Sequence, residues 1–290
     1  MKNFGIYIIG DEILSGKRKD GHLSKAIALL SARGLQLSWA NYLGDIPEQI
    51  TSSIKASMAR GDIVFSFGGI GATPDDYTRQ CAADALNVPI ERHVGAMAEI
   101  VAQFGEGAYP KRVFMADFPQ GADLIPNPVN RVAGFSIKQH YFLPGFPAMA
   151  HPMMEWVLDT HYLHLFHQTD YLEQSIIVVD GIESQLIDLM HETLQKYAGI
   201  KVFSLPKLKP NRQIELGAKG APEQVKLAMA SLTCSGSPFA PNSTWRLGFN
   251  LGRLNILISG YFCSVSFIKS ISWLSIPSSI MIDCSRYWVW

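Results

Sequence analysis

The stretch FSFGGIGATPDDYTRQCAADAL, Phe65 to Leu86, decides how the rest of the chain is read. A buried strand ends at Phe67, a glycine turn follows, and a helix begins after the proline and two adjacent aspartates. Gly68, Gly69 and Gly71 permit φ > 0 and leave backbone N–H groups uncovered, while the helix points its positive end back at the turn. Such a turn is either an anion cradle or a plain structural reversal. It is not the dinucleotide fingerprint, because GGIGAT lacks the G-x-G-x-x-G spacing. Nor is it a Walker loop, since no Lys followed by Ser or Thr closes it. Asp75 and Asp76 sharpen the question. One acid serves as a helix cap, but two beside an anion cradle suit a Mg²⁺ ion that bridges phosphate oxygens, or a carboxylate that orients or deprotonates an attacking group. Thr73 and Thr78 add hydroxyl donors.

The same grammar recurs upstream. Residues 4–9, FGIYII, read as a strand buried on both faces, followed by the acidic turn Gly10, Asp11, Glu12 and the basic run Lys17, Arg18, Lys19. HLSKAIALLSARG carries Leu23, Ile27 and Leu30 at helical spacing, with Gly34 placed to end the helix. LQLSWANYLG is a second strand, and Asp45 with Pro47 opens a helix through Arg60. Alternating strands and helices predict an α/β fold with a three-layer, mostly parallel sheet. In such a sheet ligands sit at the carboxyl ends of the strands, which brings Glu12, Asp45, Asp75 and Asp76 to one edge.

From 88 to 149 the pattern loosens: His93 to Phe104 is helical, GFSIKQH and YFLPGFP form an antiparallel pair, and Pro147 starts a helix. A compact βαββα module follows from Tyr171 to Leu232. In it Ile182, Leu186, Leu189, Met190 and Leu194 form an apolar stripe read as core. His161, His164 and His167 share a helical stripe and are read as surface or packing residues.

Of the chain's 290 residues 48% are hydrophobic and 17% charged, with 25 basic and 25 acidic side chains. This balance excludes a disordered chain and gives no support to a nucleic-acid partner. The four cysteines lack metal or disulfide spacing, consistent with a reducing cytoplasm. The N-terminal apolar run is too short for a signal peptide, and no membrane partner is expected. The composition shifts after Leu232: residues 233–290 carry four basic residues and one acid, Asp283. Serines there interrupt apolar runs with neither strand nor helix period. An interrupted membrane segment is the weaker reading of this tail, short of the ~20 residues a span needs; coding from a shifted reading frame is the stronger. The expected organisation is 1–168, a ligand-binding domain; 169–232, the small α+β module; and 233–290, an atypical tail.

GDEILSG, Gly44–Asp45 and above all GGIGATPDDYTR resemble the molybdopterin-binding domain of MoaB/Mog-type cofactor-biosynthesis proteins and of the N-terminal part of CinA. The hallmark Gly-Gly-x-Gly-Pro/Ala-Thr-x-Asp-Asp-x-Thr is met at Gly68, Gly69, Gly71, Ala72, Thr73, Asp75, Asp76 and Thr78. Two further segments are similar to CinA, through Pro119, Gly121, Ala122, Ile125, Asn127, Gly134 and Phe135, and through Leu143, Pro144, Gly145, Pro147 and Met149. The βαββα module resembles the KH-like module that follows in CinA. The resemblance covers roughly residues 4–232 and implies a pterin or adenine-nucleotide ligand held by its phosphate on Gly68, Gly69, Gly71, Ala72, Thr73 and Thr78. It also implies Asp45, Asp75 and Asp76 as catalytic groups, and a divalent metal such as Mg²⁺ at Glu12, Asp75 and Asp76. In MoaB/Mog-type relatives such acids serve molybdopterin adenylylation; in CinA-like relatives they serve hydrolysis of the ADP-ribose pyrophosphate. Three departures stand out: Arg131 lies where the family has small residues, RKDGHL replaces an Asn-Thr-Asn-like segment, and nothing resembling the CinA amidase domain follows Leu232. A homo-oligomer is compatible with the sequence.

Overall fold

The computed structural model describes residues 3–168, 171–179, 181–207, 212–234, 244–251 and 254–261. The chain divides into two compact units, Met1–Thr169 and Asp170–Trp290.

In the first unit β1 (Phe4–Ile9), α1 (Asp11–Leu14), α2 (His22–Ser31), β2 (Leu37–Leu43), α3 (Pro47–Arg60), β3 (Ile63–Phe67) and α4 (Thr78–Leu86) alternate as the sequence predicts. After them come β4 (Ile90–Arg92), α5 (Val94–Phe104), β5 (Asp117–Pro119), β6 (Asp123–Ile125), β7 (Gly134–Ile137), β8 (His140–Leu143) and α6 (Pro147–His161). Six strands form one sheet in the order β2-β1-β3-β8-β7-β6. The first four run parallel, and β7 and β6 close the edge antiparallel. The hairpin expected of GFSIKQH and YFLPGFP is therefore β7–β8. Strands β4 and β5 pair separately.

Period-2 alternation explains why these strands read as continuous apolar runs. Phe4, Ile6, Ile8, Ile63, Phe65, Phe67, Tyr141 and Leu143 face one core with α2 and α6. Tyr7, Ile9, Val64 and Phe142 face the other, with Ile50 and Ile54 of α3, Cys81 and Ala82 of α4, and Ala96 and Ile100 of α5. Both faces are covered, giving three layers.

Two helix readings need correction. In α2 the buried positions are His22, Ala26, Leu29 and Leu30, whereas Ile27 is 45% exposed. The stripe is rotated because a histidine, not an apolar residue, opens its buried face. Asp20 fixes that start: its carboxylate accepts from the amides of His22 (2.7 Å) and Leu23 (3.1 Å), as an N-cap does.

The second unit contains β9 (Leu172–Val179), α7 (Ile187–Lys196), β10 (Lys201–Lys207), β11 (Gln213–Gly220) and α8 (Pro222–Cys234), the expected βαββα order. Helix α7 begins later than its apolar pattern suggested, after a 3₁₀ turn at Glu183–Gln185. Ile182 is consequently exposed, and Leu194 is exposed because Thr193 takes the buried face beside it, while Leu186 and Leu189 enter a core with Val178, Ile214, Leu216, Val225 and Leu232. In the compositionally odd tail, Thr244–Leu251 and Leu254–Tyr261 are strands β12 and β13, which the sequence reading did not anticipate. They pair with each other, and β12 pairs with β9. Apart from Thr233 and Cys234, which end α8, the rest of the tail lies outside the described residues. Among the described residues no helix is long and apolar enough to cross a membrane.

Candidate functional site

Because β2, β1, β3 and β8 are parallel neighbours, their carboxyl ends place four connections side by side: 10–21, 44–46, 68–77 and 144–146. The acids predicted to share one edge do so. Asp11 and Asp45 tie two of these turns together: the Asp11 amide donates to Asp45 Oδ2 (3.0 Å) and the Asp45 amide to Asp11 Oδ1 (3.2 Å). Burial, followed by the charges of Asp11, Glu12 and Asp75, pushes the Asp45 carboxyl above its ordinary value, against the pull of the Asp11 amide. Asp45 thus senses the charges of three neighbouring carboxylates. Among the described residues, however, no group of three or more acidic, His or Cys side chains stands close enough to hold a metal ion by itself.

The glycine turn is built to a tight tolerance. Gly68 has φ 104°, and a Cβ there would lie 2.2 Å from the carbonyl oxygen of Ile9; only glycine fits between β3 and β1. Gly69 continues with φ 68°. The Gly68 amide donates to Leu143 O (3.0 Å). Beyond it, the amides of Gly69, Ile70, Gly71 and Ala72 make no hydrogen bond within the described protein. Four successive N–H groups are thus available to an anion.

Several residues predicted to touch ligand also shape this turn. Thr78 is buried; its hydroxyl donates to Gly68 O (3.0 Å) and its amide to Gly69 O (3.0 Å). Asp76 Oδ2 accepts from the Thr73 amide (2.8 Å) and hydroxyl (2.5 Å), closing the far side. Asp75 remains on the surface, where the Thr73 side chain and its own backbone amide hold its carboxyl below the ordinary value. Ala72 and Thr73 are exposed along the rim, and Glu12 is half-buried facing Asp45.

Sequence reasoning passed over Arg79. Its guanidinium donates to Gly71 O (2.5 Å), Phe114 O and Asp117 O (3.4 Å), so it staples the turn to the 114–117 segment. Burial lowers its pKa against the opposing charges of Asp117 and Asp76. Arg79 Nε is buried without a partner. The immediate neighbour of the Asp-Asp-x-Thr run was its only available signal. His22 was missed too: it is buried, stacks on Phe67 at 4.4 Å, and donates from Nε2 to Gly145 O (3.2 Å), bracing the 144–146 connection. By contrast His161 packs edge-on against Trp156 (5.7 Å), as its reading as a packing residue requires.

Residues 5–164 match the family described as probable molybdopterin binding domain. A protein of Caldivirga maquilingensis is 31% identical over 232 residues, which span 76% of this chain and 89% of that one. A CinA-like protein of Anaeromyxobacter sp. (strain K) is 34% identical over 161 residues, 53% of this chain but 40% of the relative's length. The crystal structure of the protein CinA with unknown function from Thermoplasma acidophilum aligns with a TM-score of 0.50 at 25% identity, over 55% of this chain and 98% of that one. By motif, topology and these likenesses together, the chain belongs to the MoaB/Mog-type family of probable molybdopterin binding domains, on the branch that includes CinA-like proteins.

Proposed function

We propose that the protein binds a phosphate-bearing pterin or adenine nucleotide and hydrolyses a phosphoanhydride, with the pyrophosphate of ADP-ribose as the substrate to test. The observation that carries this reading is the run of four uncommitted amides at Gly69, Ile70, Gly71 and Ala72 on the same sheet edge as Asp45, whose carboxyl is raised by burial and by three acidic neighbours. The amides take a phosphate oxygen and stabilise charge that develops on it. Mg²⁺ fits this donor set, because it is ordinarily held by one or two carboxylates plus substrate phosphates rather than by an all-protein cage. Asp75 and Glu12 would hold it, with Asp76 contributing the oxygen not engaged by Thr73. A bound Mg²⁺ would supply positive charge against the acids and the phosphate. Asp45, raised by burial and by its acidic neighbours, accepts the proton of the attacking water. Water adds to one phosphorus and the bridging oxygen leaves, so ADP-ribose gives AMP and ribose 5-phosphate. This chemistry belongs in the cytoplasm, where its nucleotides are found.

A second reading has its own support. Asp76 and Thr78 are both spent on the shape of the turn, which suits a carrier or sensor of pterin or nucleotide, or a partner in molybdopterin adenylylation, as well as a hydrolase. The full-length protein, incubated with ADP-ribose with and without Mg²⁺, separates the two. Magnesium-dependent release of AMP, lost in Asp75→Asn and Asp45→Asn with ligand binding retained, is the expected result. Binding without turnover in any divalent metal would establish the carrier instead.

A further inference from the structure

Phe146 is an aromatic ring with no fold role that accounts for it. It is 56% exposed, so it gains little from burial. Its contribution to α6 is its backbone carbonyl, which accepts from Met149 (3.0 Å) and Ala150 (2.9 Å) and which any residue supplies. The guanidinium of Arg18 lies 5.8 Å from the ring centroid. Arg18 is itself anchored by its amide to Glu12 O (2.9 Å). Lys17, Arg18 and Lys19 make no ion pair among the described residues.

The position of this pair matters more than the contact itself. Strands β1 and β8 flank β3, so a contact between Arg18, after β1, and Phe146, after β8, closes over the end of β3. The glycine turn starts at that end. Gly145 lies against it, since a Cβ on Gly145 would come within 3.4 Å of Gly68 Cα. His22 fixes the Gly145 carbonyl from behind. A half-exposed ring with an unneutralised cation beside it therefore directly follows the residue that packs against the start of the glycine turn.

We propose that Phe146, backed by Arg18, is the stacking face for the planar heterocyclic ring of the ligand whose phosphate sits on the 68–73 turn. The inference rests on the phosphate reading and adds to it the part of the ligand that phosphate contacts cannot recognise. A phenyl face suits any fused heteroaromatic ring, and the guanidinium adds attraction for the ring and for a second phosphate. Tyr77, 37% exposed at the start of α4, is the competing aromatic on the opposite face of the sheet.

The test measures binding of AMP, neopterin monophosphate and ribose 5-phosphate to the full-length protein. Phe146→Ala is expected to weaken AMP or the pterin phosphate about tenfold while leaving ribose 5-phosphate unchanged; Phe146→Trp restores the loss and Tyr77→Ala has no effect. Whichever ring compound binds more tightly identifies the ring that the face accepts. Unchanged binding of both ring compounds in Phe146→Ala, or transfer of the loss to Tyr77→Ala, overturns the stacking face and leaves the phosphate turn standing. If the wild-type protein binds none of the three, the phosphate turn itself is refuted, and the stacking face with it.

Discussion

Asp11 and Asp45 each accept the other's backbone amide, at 3.2 and 3.0 Å, so two connections that leave adjacent parallel strands are latched by a reciprocal pair of like charges. Each amide–carboxylate bond is favourable, and the proximity of two carboxylates is not. The latch therefore holds its charges under tension that a bound cation would relieve.

Burial, together with that tension, gives Asp45 a pH signature. A carboxyl whose folded-state pKa lies above its unfolded value of 3.8 favours folding when protonated and loses that contribution as pH rises through the folded value. Asp45→Asn keeps an oxygen for the Asp11 amide and removes the charge. The variant is expected to melt higher than the wild type at pH 7, with the difference shrinking as pH falls toward 4. Parallel melting curves across that range would show that folding does not raise the Asp45 carboxyl.

Gly68→Ala is expected to cost about 3 kcal/mol, because the new methyl must displace the Ile9 carbonyl while the backbone stays at φ 104°. Gly16→Ala is the matched control: Gly16 also has positive φ (73°) but open space around it, so it costs about 1 kcal/mol. Urea unfolding measures both, and equal losses would mean that the close approach of β3 to β1 is unimportant.

Thr78→Val removes a hydroxyl at nearly constant volume and leaves the buried Gly68 carbonyl without that donor. About 2 kcal/mol of stability should be lost, together with affinity for ribose 5-phosphate, since the turn that binds it loosens. Thr78→Ser should recover the affinity. A Thr78→Val protein with full affinity would exclude the hydroxyl from shaping the turn.

At the opposite end of the sheet His140 is fully buried, with Ser57 Oγ 2.7 Å from Nε2 and Nδ1 donating to Lys138 O (3.0 Å). Burial lowers its pKa, so the unfolded chain takes up a proton first as pH falls below its unfolded value of 6.5. Stability is thus present above 6.5 and declines as pH drops toward the folded value, by up to about 1.4 kcal/mol per pH unit. His140→Gln retains a donor and an acceptor and should flatten the dependence between pH 6.5 and 5. His22, lowered by burial as well, contributes to the part that remains.

The sequence by itself determined the order of strands and helices, the parallel sheet and the edge where the acids meet. Those properties are local or topological: apolar runs such as FGIYII and IVFSF must be buried on both faces, and glycines must fill turns that allow no Cβ. Helix faces were legible only in part. At Ile27 and Ile182 an apolar residue lies just off the stripe, and which side of it reaches the core depends on where Asp20 or a 3₁₀ turn starts the helix; at Leu194, Thr193 takes the buried face. Roles within the site were decided by the tertiary structure alone. Asp76 and Thr78 bear the same side chains whatever they touch, and only the approach of Thr73 and Gly68 gives them their hydrogen-bond partners in the turn. Arg18 and Phe146 lie 128 positions apart, and their contact exists because β1 and β8 flank β3. A spacing rule cannot carry information about residues that meet only when a sheet sets them side by side.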